Sequence, residues 1–62
     1  MTQTAVITGA GSGFGLETAR LAAKRGMNLV LVDVQADALD KAHAEMAGRA
    51  VEVDEVIAAG AS

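Results

Sequence analysis

The chain has 62 residues, no cysteine, and a formal net charge of −3 from 5 basic and 8 acidic side chains. This length allows one small domain or part of one, and the lack of cysteine excludes disulfides and thiolate metal sites. An acidic chain with a single aromatic residue, Phe14, is a poor candidate for nucleic-acid binding, and no apolar run approaches the roughly 18 residues that span a membrane.

Residues 1–4 lack the basic side chains that open a secretory signal, so we expect a cytoplasmic location.

The first predicted element is a strand. Residues 4–8 are rich in β-branched side chains and continuously apolar at their centre, which is typical of a strand buried on both faces of a parallel sheet. Residues 9–15 then contain four glycines, which predict a tight turn because glycine weakens strands and tolerates unusual backbone angles.

A helix, a second strand and a second helix follow. The first helix is predicted over residues 13–25, and its small residues form a face that can lie close against a sheet: Gly15, Ala19, Ala22 and Gly26. The second strand covers residues 29–32 and ends at Asp33. The second helix is predicted over residues 36–47, with an apolar stripe of Ala38, Leu39, Ala42 and Met46.

A third strand is predicted over residues 50–53, which completes an alternation of strands and helices. This βαβαβ order predicts an α/β fold with an open parallel sheet and right-handed crossovers. We interpret residues 1–62 as a single unit, with residues 54–62 as its least defined part. The lone histidine, His43, lies outside or beside the apolar stripe and is interpreted as a solvated helix residue, and we predict no metal site.

Binding chemistry is expected where the first strand meets the first helix. A glycine-rich turn exposes backbone N–H groups at the positive end of a helix, which suits a pyrophosphate. Asp33 follows 20 residues after Gly13 and closes the second strand, where a carboxylate can accept hydrogen bonds from both ribose hydroxyls. It would repel a 2′-phosphate, so the pattern predicts NAD rather than NADP. The alternative is that Asp33 only caps the second helix.

The spacing of the glycines decides which known pattern they resemble. The G-x-G-x-x-G pattern does not fit, because Phe14 or Leu16 stands where it needs glycine, and the Walker pattern lacks its Gly-Lys-Ser/Thr. Thr8-Gly9-x-x-x-Gly13-x-Gly15 does fit, and it resembles the T-G-x-x-x-G-x-G fingerprint of the short-chain dehydrogenases/reductases. The resemblance covers about residues 4–53 and implies a partial Rossmann fold, the cofactor-binding beginning of a longer family member.

The resemblance implies roles for the residues of the turn. Gly9 would make the tight turn, and Gly15 would let the helix pack on the sheet. Phe14 stands where the family usually has isoleucine, near the nicotinamide. Three residues would surround the phosphates: Ser12, Gly13 and Phe14.

Three further positions bear on the cofactor. Members of the family that prefer NADP often carry a basic residue at the position of Ser12 or Val34, so these two residues again favour NAD. Asp54 would be the acidic residue that ends the third strand and contacts the adenine, although Glu55 replaces the valine that usually follows.

Residues 54–62 have two interpretations. In the favoured one, residues 54–59 begin a third helix. In the other, residues 56–62 resemble the fourth strand of the family, which ends in Asn-Asn-Ala-Gly or Ala-Asn-Ala-Gly, with the asparagine missing and the helix before it deleted.

The residues for catalysis by the family's mechanism are missing. That chemistry needs a tyrosine, a lysine four residues later and a serine, and this chain contains no tyrosine. We therefore predict no catalytic residue and an inactive chain. Three hypotheses remain: the NAD-binding N-terminal segment of such an oxidoreductase, a stand-alone nucleotide-binding module, or a truncated product that self-associates through an exposed sheet edge.

Overall fold

The computed structural model describes residues 3–50 and 52–58. Within them the chain forms five elements in the order β1 (Thr4–Thr8), α1 (Gly13–Lys24), β2 (Asn28–Asp33), α2 (Ala36–Ala47) and β3 (Val53–Ile57). The strands are parallel and adjacent in the order β1-β2-β3. This arrangement confirms the predicted βαβαβ fold with a parallel sheet.

The core lies between one face of the sheet and the two helices. Ile7 of β1 is 6% exposed, and Leu29 and Leu31 of the central strand are fully buried. Alanines on the buried face of α1 let that helix lie close to the strands, whereas α2 contributes larger side chains. The buried helix residues are Ala19, Ala22, Ala23, Leu39, Ala42 and Met46. Within the described residues, neither helix is long and apolar enough to cross a membrane.

The opposite face of the sheet is open among the described residues. Val6 and Val56 are 67% and 50% exposed, and Val30 and Val32 are half-buried. The prediction that the strands are buried on both faces is therefore wrong for this part of the chain. The reason is topological, because β1, β2 and β3 are added in one direction and right-handed crossovers then place both helices on the same side.

The end of α1 and the start of β2 each differ from the prediction by one residue, because α1 ends at Lys24 rather than Arg25 and β2 begins at Asn28 rather than Leu29. Helix α1 ends at Lys24, and Arg25 and Gly26 form the turn that follows, with Gly26 at a left-handed φ of +76°. The N–H groups of Gly26 and Met27 donate to the carbonyls of Ala23 and Ala22 at 3.0 and 3.1 Å. These bonds satisfy the carbonyls of the last helical turn, so Gly26 ends the helix as expected.

The third strand lies later in the chain than predicted. The N–H groups of Arg49 and Ala50 both donate to the carbonyl of Met46, at 2.9 and 2.8 Å, and extend the last turn of α2. Pairing with β2 begins only where the Leu29 N–H donates to the Glu52 carbonyl, at 2.8 Å. The predicted third strand is therefore present, but its predicted bounds, residues 50–53, are wrong, and β3 is Val53–Ile57.

Both interpretations of the tail are also wrong where the structure describes it. Residues 54–57 belong to β3 and do not begin a helix, and Val56 and Ile57 belong to the third strand rather than a fourth. Residues 59–62 lie outside the described residues.

A side-chain hydrogen bond joins α2 to β3. His43 Nδ1 lies 2.9 Å from Glu55 Oε1, and the two side chains are 32% and 28% exposed. The hydrogen bond with His43 lowers the pKa of the Glu55 carboxyl. His43 is therefore not the solvated helix residue that the sequence predicted, because β3 brings Glu55 against it.

An ion pair joins the two helices. Arg20 Nε donates to Glu45 Oε2 at 2.6 Å, and Arg20 Nη2 donates to Glu45 Oε1 at 3.0 Å. The remaining Arg20 nitrogen, Nη1, donates to Glu17 Oε1 at 2.6 Å. The hydrogen bonds from Arg20 lower the pKa of Glu45 from its ordinary value of 4.5. This two-point geometry fixes α1 against α2 more firmly than a single contact does.

We expect Glu45→Gln to destabilise the fold at neutral pH and to have little effect in acid. Because the folded-state pKa of Glu45 is depressed, its stabilisation is complete above pH 4.5 and is lost as the pH falls through the folded-state pKa. Urea denaturation from pH 7 downwards measures this difference. Glu17→Gln is the matched control, because that carboxylate is 65% exposed and meets only one Arg20 nitrogen. If the difference in free energy of unfolding between wild type and Glu45→Gln increased as the pH fell, that result would contradict the account.

Candidate functional site

The turn between β1 and α1 needs glycine at two positions because of its backbone. Gly9 and Gly13 have φ of +66° and +60°, in the left-handed region that side chains disfavour. A Cβ built on either residue meets no atom within 4 Å. The space beside both glycines is therefore open to a ligand.

Gly15 is required for a different reason. A Cβ built on it would lie 2.9 Å from the carbonyl oxygen of Thr8 and closer still to the carbonyl of Gly9. The first turn of α1 thus packs directly on the backbone of the glycine-rich turn. Any side chain at residue 15 would force the helix and the turn apart.

The N-terminus of α1 keeps its hydrogen-bonding capacity. Ser12 is the N-cap residue, with extended φ and ψ of −164° and 169°, and its hydroxyl makes no hydrogen bond to the helix. The first N–H groups of a helix have no partner within it, and the helix dipole makes this end positive. The first turn carries no acidic side chain. The arrangement suits an anion that uses both the Ser12 hydroxyl and the free N–H groups.

Asp33 lies at the carboxyl end of β2, next to the turn. Its Oδ1 accepts a hydrogen bond from the Gln35 N–H at 3.0 Å, and its Oδ2 accepts one from the Gly11 N–H at 2.8 Å. The N–H groups of Gln35, Gly11 and Val34 hold the pKa of Asp33 below its ordinary value. Asp33 is therefore a charged, oriented acceptor at neutral pH.

A groove of about 240 Å³ runs along the carboxyl ends of the strands. Ligands of open α/β sheets bind at this edge. The exposed side chain of Val34 adds an apolar wall without charge. The groove is lined by Thr8, Gly9, Val32, Asp33, Val34 and Ala58.

The structure brings together most of the predicted site residues, but not all of them. Gly9, Asp33 and Val34 share the groove, and Phe14 is 93% exposed at the start of α1. Asp54 is the second residue of β3, pairs with Val30 and does not end the strand. The predicted position of Asp54 is therefore wrong, because β3 begins later than expected.

Two residues of the site were missed by the sequence analysis. Ala58 follows β3 and donates its N–H to the Asp33 carbonyl at 2.9 Å, in the place that Asp54 was expected to take. Gly11 holds the Asp33 carboxylate. The sequence places Gly11 within the glycine-rich turn, but only the structure shows that its N–H contacts Asp33.

Comparison with known proteins identifies the family. Residues 3–59 match the short chain dehydrogenases. The chain belongs to this family. Its three-stranded sheet matches the N-terminal Rossmann half of short-chain dehydrogenases, with a TM-score of 0.84 to an alcohol dehydrogenase of Comamonas testosteroni that is 36% identical, over 92% of this chain and 24% of that one.

Two further relatives show how much of a short-chain dehydrogenase is present. The 1-deoxy-11-beta-hydroxypentalenate dehydrogenase of Streptomyces exfoliatus is 42% identical over 57 residues, which are 92% of this chain and 21% of that protein. L-sorbose reductase of Gluconobacter frateurii, solved with NADPH and L-sorbose, is 43% identical over 89% of this chain and 21% of its own, with a TM-score of 0.82. The chain thus spans about a fifth of the length of these two relatives. It corresponds to the N-terminal NAD(P)-binding region of the family.

Proposed function

We propose that this chain is the NAD(H)-binding N-terminal segment of a short-chain dehydrogenase/reductase-type oxidoreductase and prefers NAD to NADP. The observation that carries the proposal is the pairing of two features. The N-terminus of α1 offers free N–H groups, and the charged carboxylate of Asp33 is held beside the same turn.

The residues fit a dinucleotide with its adenosine half toward Asp33. Ser12, Gly13 and Phe14 would surround the pyrophosphate, and the open space beside Gly9 and Gly13 allows it to approach the backbone. When bound, the nicotinamide supplies the hydride chemistry of the family. This chain has no tyrosine to exchange a proton with a substrate, so we expect the chain alone to bind cofactor without turnover.

The preference for NAD rests on charge. A 2′-phosphate would lie next to the Asp33 carboxylate, whose pKa is depressed and which is therefore ionised at neutral pH. Neither Ser12 nor Val34 supplies a cation to offset that repulsion. Like charges in one site disfavour binding, so NADPH should bind more weakly than NADH.

Calorimetric titration of the chain with NADH and with NADPH tests the proposal. We expect saturable NADH binding and much weaker NADPH binding. Asp33→Ala should weaken NADH binding about tenfold, because a hydrogen bond to a charged group contributes roughly 1.5 kcal/mol or more. The same variant should reduce the difference in affinity between NADH and NADPH. Equal affinity of the wild-type chain for both dinucleotides would refute the preference, and no binding of either would refute a working site in this chain.

A second candidate property of the chain is self-association, because the open face of the sheet favours contacts between chains. Val6 and Val56 expose apolar surface there, and within the described residues β1 pairs only with β2. Unpaired strand edges beside apolar surface promote association between chains. Analytical ultracentrifugation of wild type and Val6→Lys tests this, with Leu21→Lys on the exposed side of α1 as the control. A monomeric wild-type chain would exclude it.

A further inference from the structure

Glu55 is a charged residue at a position in the sheet that is normally apolar. It lies in the middle of β3, and its register partner on β2 is Leu31, which is fully buried. Residues in register on neighbouring strands point to the same face of a sheet, so Glu55 lies on the face that the helices cover, where His43 of α2 meets it. A charge in such a place loses part of its hydration and needs partners within the protein.

The two oxygens of the Glu55 carboxylate have different surroundings. Oε1 lies 2.9 Å from His43 Nδ1, whereas Oε2 is buried and has no hydrogen-bond partner among the described residues. A carboxylate only accepts hydrogen bonds, so His43 donates to Oε1 and Oε2 still lacks a donor. A buried acceptor without a donor lowers the stability of the contact between α2 and β3.

Asp40 is the side chain that can supply the missing proton. It lies one helical turn before His43 on α2 and within hydrogen-bonding reach of Glu55. Two carboxylates repel each other, but a protonated Asp40 can donate its O–H to Glu55. This hydrogen bond raises the pKa of Asp40, and the hydrogen bonds with His43 and with Asp40 lower the pKa of Glu55. The two carboxyls therefore share one proton, which Asp40 carries.

The other charged groups around this contact act on it only from a distance. Asp37, one turn before Asp40 on α2, raises the pKa of Asp40 through its charge. The only ionisable side chain of β2 is Asp33, which is bonded to backbone N–H groups at the carboxyl end of the strand. Asp54, next to Glu55 on β3, is exposed on the opposite face of the sheet.

We propose that Asp40, His43 and Glu55, here called the Glu55 cluster, form a pH-sensitive switch that holds β3 against α2 most tightly while Asp40 is protonated and Glu55 is ionised. As the pH rises through the folded-state pKa of Asp40, which lies above the ordinary value of 3.8, the proton is lost and two carboxylates face each other. As the pH falls through the folded-state pKa of Glu55, below the ordinary value of 4.5, the charged acceptor is lost. The contact is therefore tightest in mild acid and loosens on either side.

The end of β3 connects the Glu55 cluster to the groove at the carboxyl ends of the strands. Ala58 follows β3, donates its N–H to the Asp33 carbonyl at 2.9 Å and lines the groove beside Asp33. A β3 that is held more tightly keeps this wall of the groove in place for more of the time. The switch does not depend on the ligand that the groove binds, so failure of the dinucleotide proposal would leave it untouched.

Asp40→Asn tests the switch, because an asparagine amide donates a hydrogen bond at every pH and carries no charge. At pH 7 we expect the equilibrium constant for unfolding to be about two- to tenfold smaller in Asp40→Asn than in wild type, the value of one hydrogen bond. The difference should disappear as the pH falls through the folded-state pKa of Asp40, because the wild-type chain then supplies its own donor. Urea denaturation from pH 7 to pH 4 measures it.

Asp37→Asn is the matched control. It removes the same charge from the same helix, and Asp37 lies in the first turn of α2, where a negative charge suits the helix dipole. This variant should therefore not stabilise the chain at pH 7. If Asp40→Asn were no more stable than wild type at pH 7, or if Asp37→Asn stabilised the chain as much, the proposal would be overturned.

Amide hydrogen exchange locates the effect within the sheet. The Ala58 N–H reports the end of β3, and the Ala10 N–H, which donates to the Val32 carbonyl at 3.1 Å, reports the β1 side of β2. At pH 7, Asp40→Asn should slow exchange at Ala58 more than at Ala10. An equal change at both amides would overturn the proposal, because the substitution would then stabilise the chain as a whole.

The wild-type chain provides a test that needs no variant. In a pH titration followed by NMR, the carboxyl carbon of Asp40 should titrate above 3.8 and that of Glu55 below 4.5, because one proton is held between them. Carboxyl carbons that titrate independently at their ordinary values would overturn the proposal.

Discussion

Replacing Gly15 by alanine is expected to abolish dinucleotide binding and to lower the stability of the fold. The new Cβ would meet the carbonyls of Thr8 and Gly9, which are backbone atoms that cannot move aside alone. Helix α1 would have to shift away from the turn, at a cost of about 1–3 kcal/mol. That shift would also separate the free N–H groups of α1 from the Asp33 carboxylate. Urea denaturation and calorimetry with NADH measure the two effects.

The same substitution at Gly48 provides the control. Gly48 has a φ of −87°, and a Cβ there meets nothing within 4 Å. Gly48→Ala should leave binding unchanged and stabilise the chain by about 0.4–1 kcal/mol, because it reduces the entropy of the unfolded state. Retention of wild-type NADH affinity by Gly15→Ala would show that the close contact between α1 and the turn does not shape the site.

Replacing Leu31 by alanine is expected to unfold much of the population. Leu31 is fully buried at the centre of the middle strand, between the sheet and both helices. Truncation of a buried leucine costs about 2–5 kcal/mol, and a domain of this size rarely has more than roughly 3–5 kcal/mol in total. Circular dichroism and urea denaturation should show a largely unfolded chain at 25 °C.

The same substitution at a surface leucine is the control, because it removes the same side chain without opening the core. Leu21 lies on α1 and is 61% exposed. Leu21→Ala should change the free energy of unfolding by no more than about 0.5 kcal/mol, as is usual for surface positions. If the two variants were equally stable, the core between sheet and helices would not be the source of stability.

The sequence predicts the elements whose limits are set locally. The bounds of β1 and α2 follow from an apolar run that ends in glycines and from a helical stripe that ends at Gly48. The start of β3 depends on how many residues the turn after α2 consumes. That number is set when Arg49 and Ala50 both bond to the Met46 carbonyl, which no periodicity in the sequence reveals.

The candidate site also has a part that the sequence predicts and a part that only the structure shows. The spacing of Gly9, Gly13 and Gly15 and the position of Asp33 are visible in the sequence, because each lies at the end of an element. The contact between Gly11 and Asp33 joins two loops that lie 22 residues apart in the sequence, and only the folded structure shows that they meet. Ala58 rather than Asp54 lines the groove, because β3 begins later in the chain than the sequence predicts.

The central claim is that the glycine-rich turn and Asp33 form one dinucleotide site. The most direct measurement is an amide NMR spectrum of the chain with and without NADH. We expect the largest shift changes at residues 9–15 and 33–35, on both sides of the hydrogen bond between Gly11 and Asp33. A different groove, of about 350 Å³, lies between α1 and the end of α2 and is lined by Glu17, Arg20, Leu21, Ala23, Lys24 and Arg49. Changes confined to that groove, or no changes at all, would contradict the account.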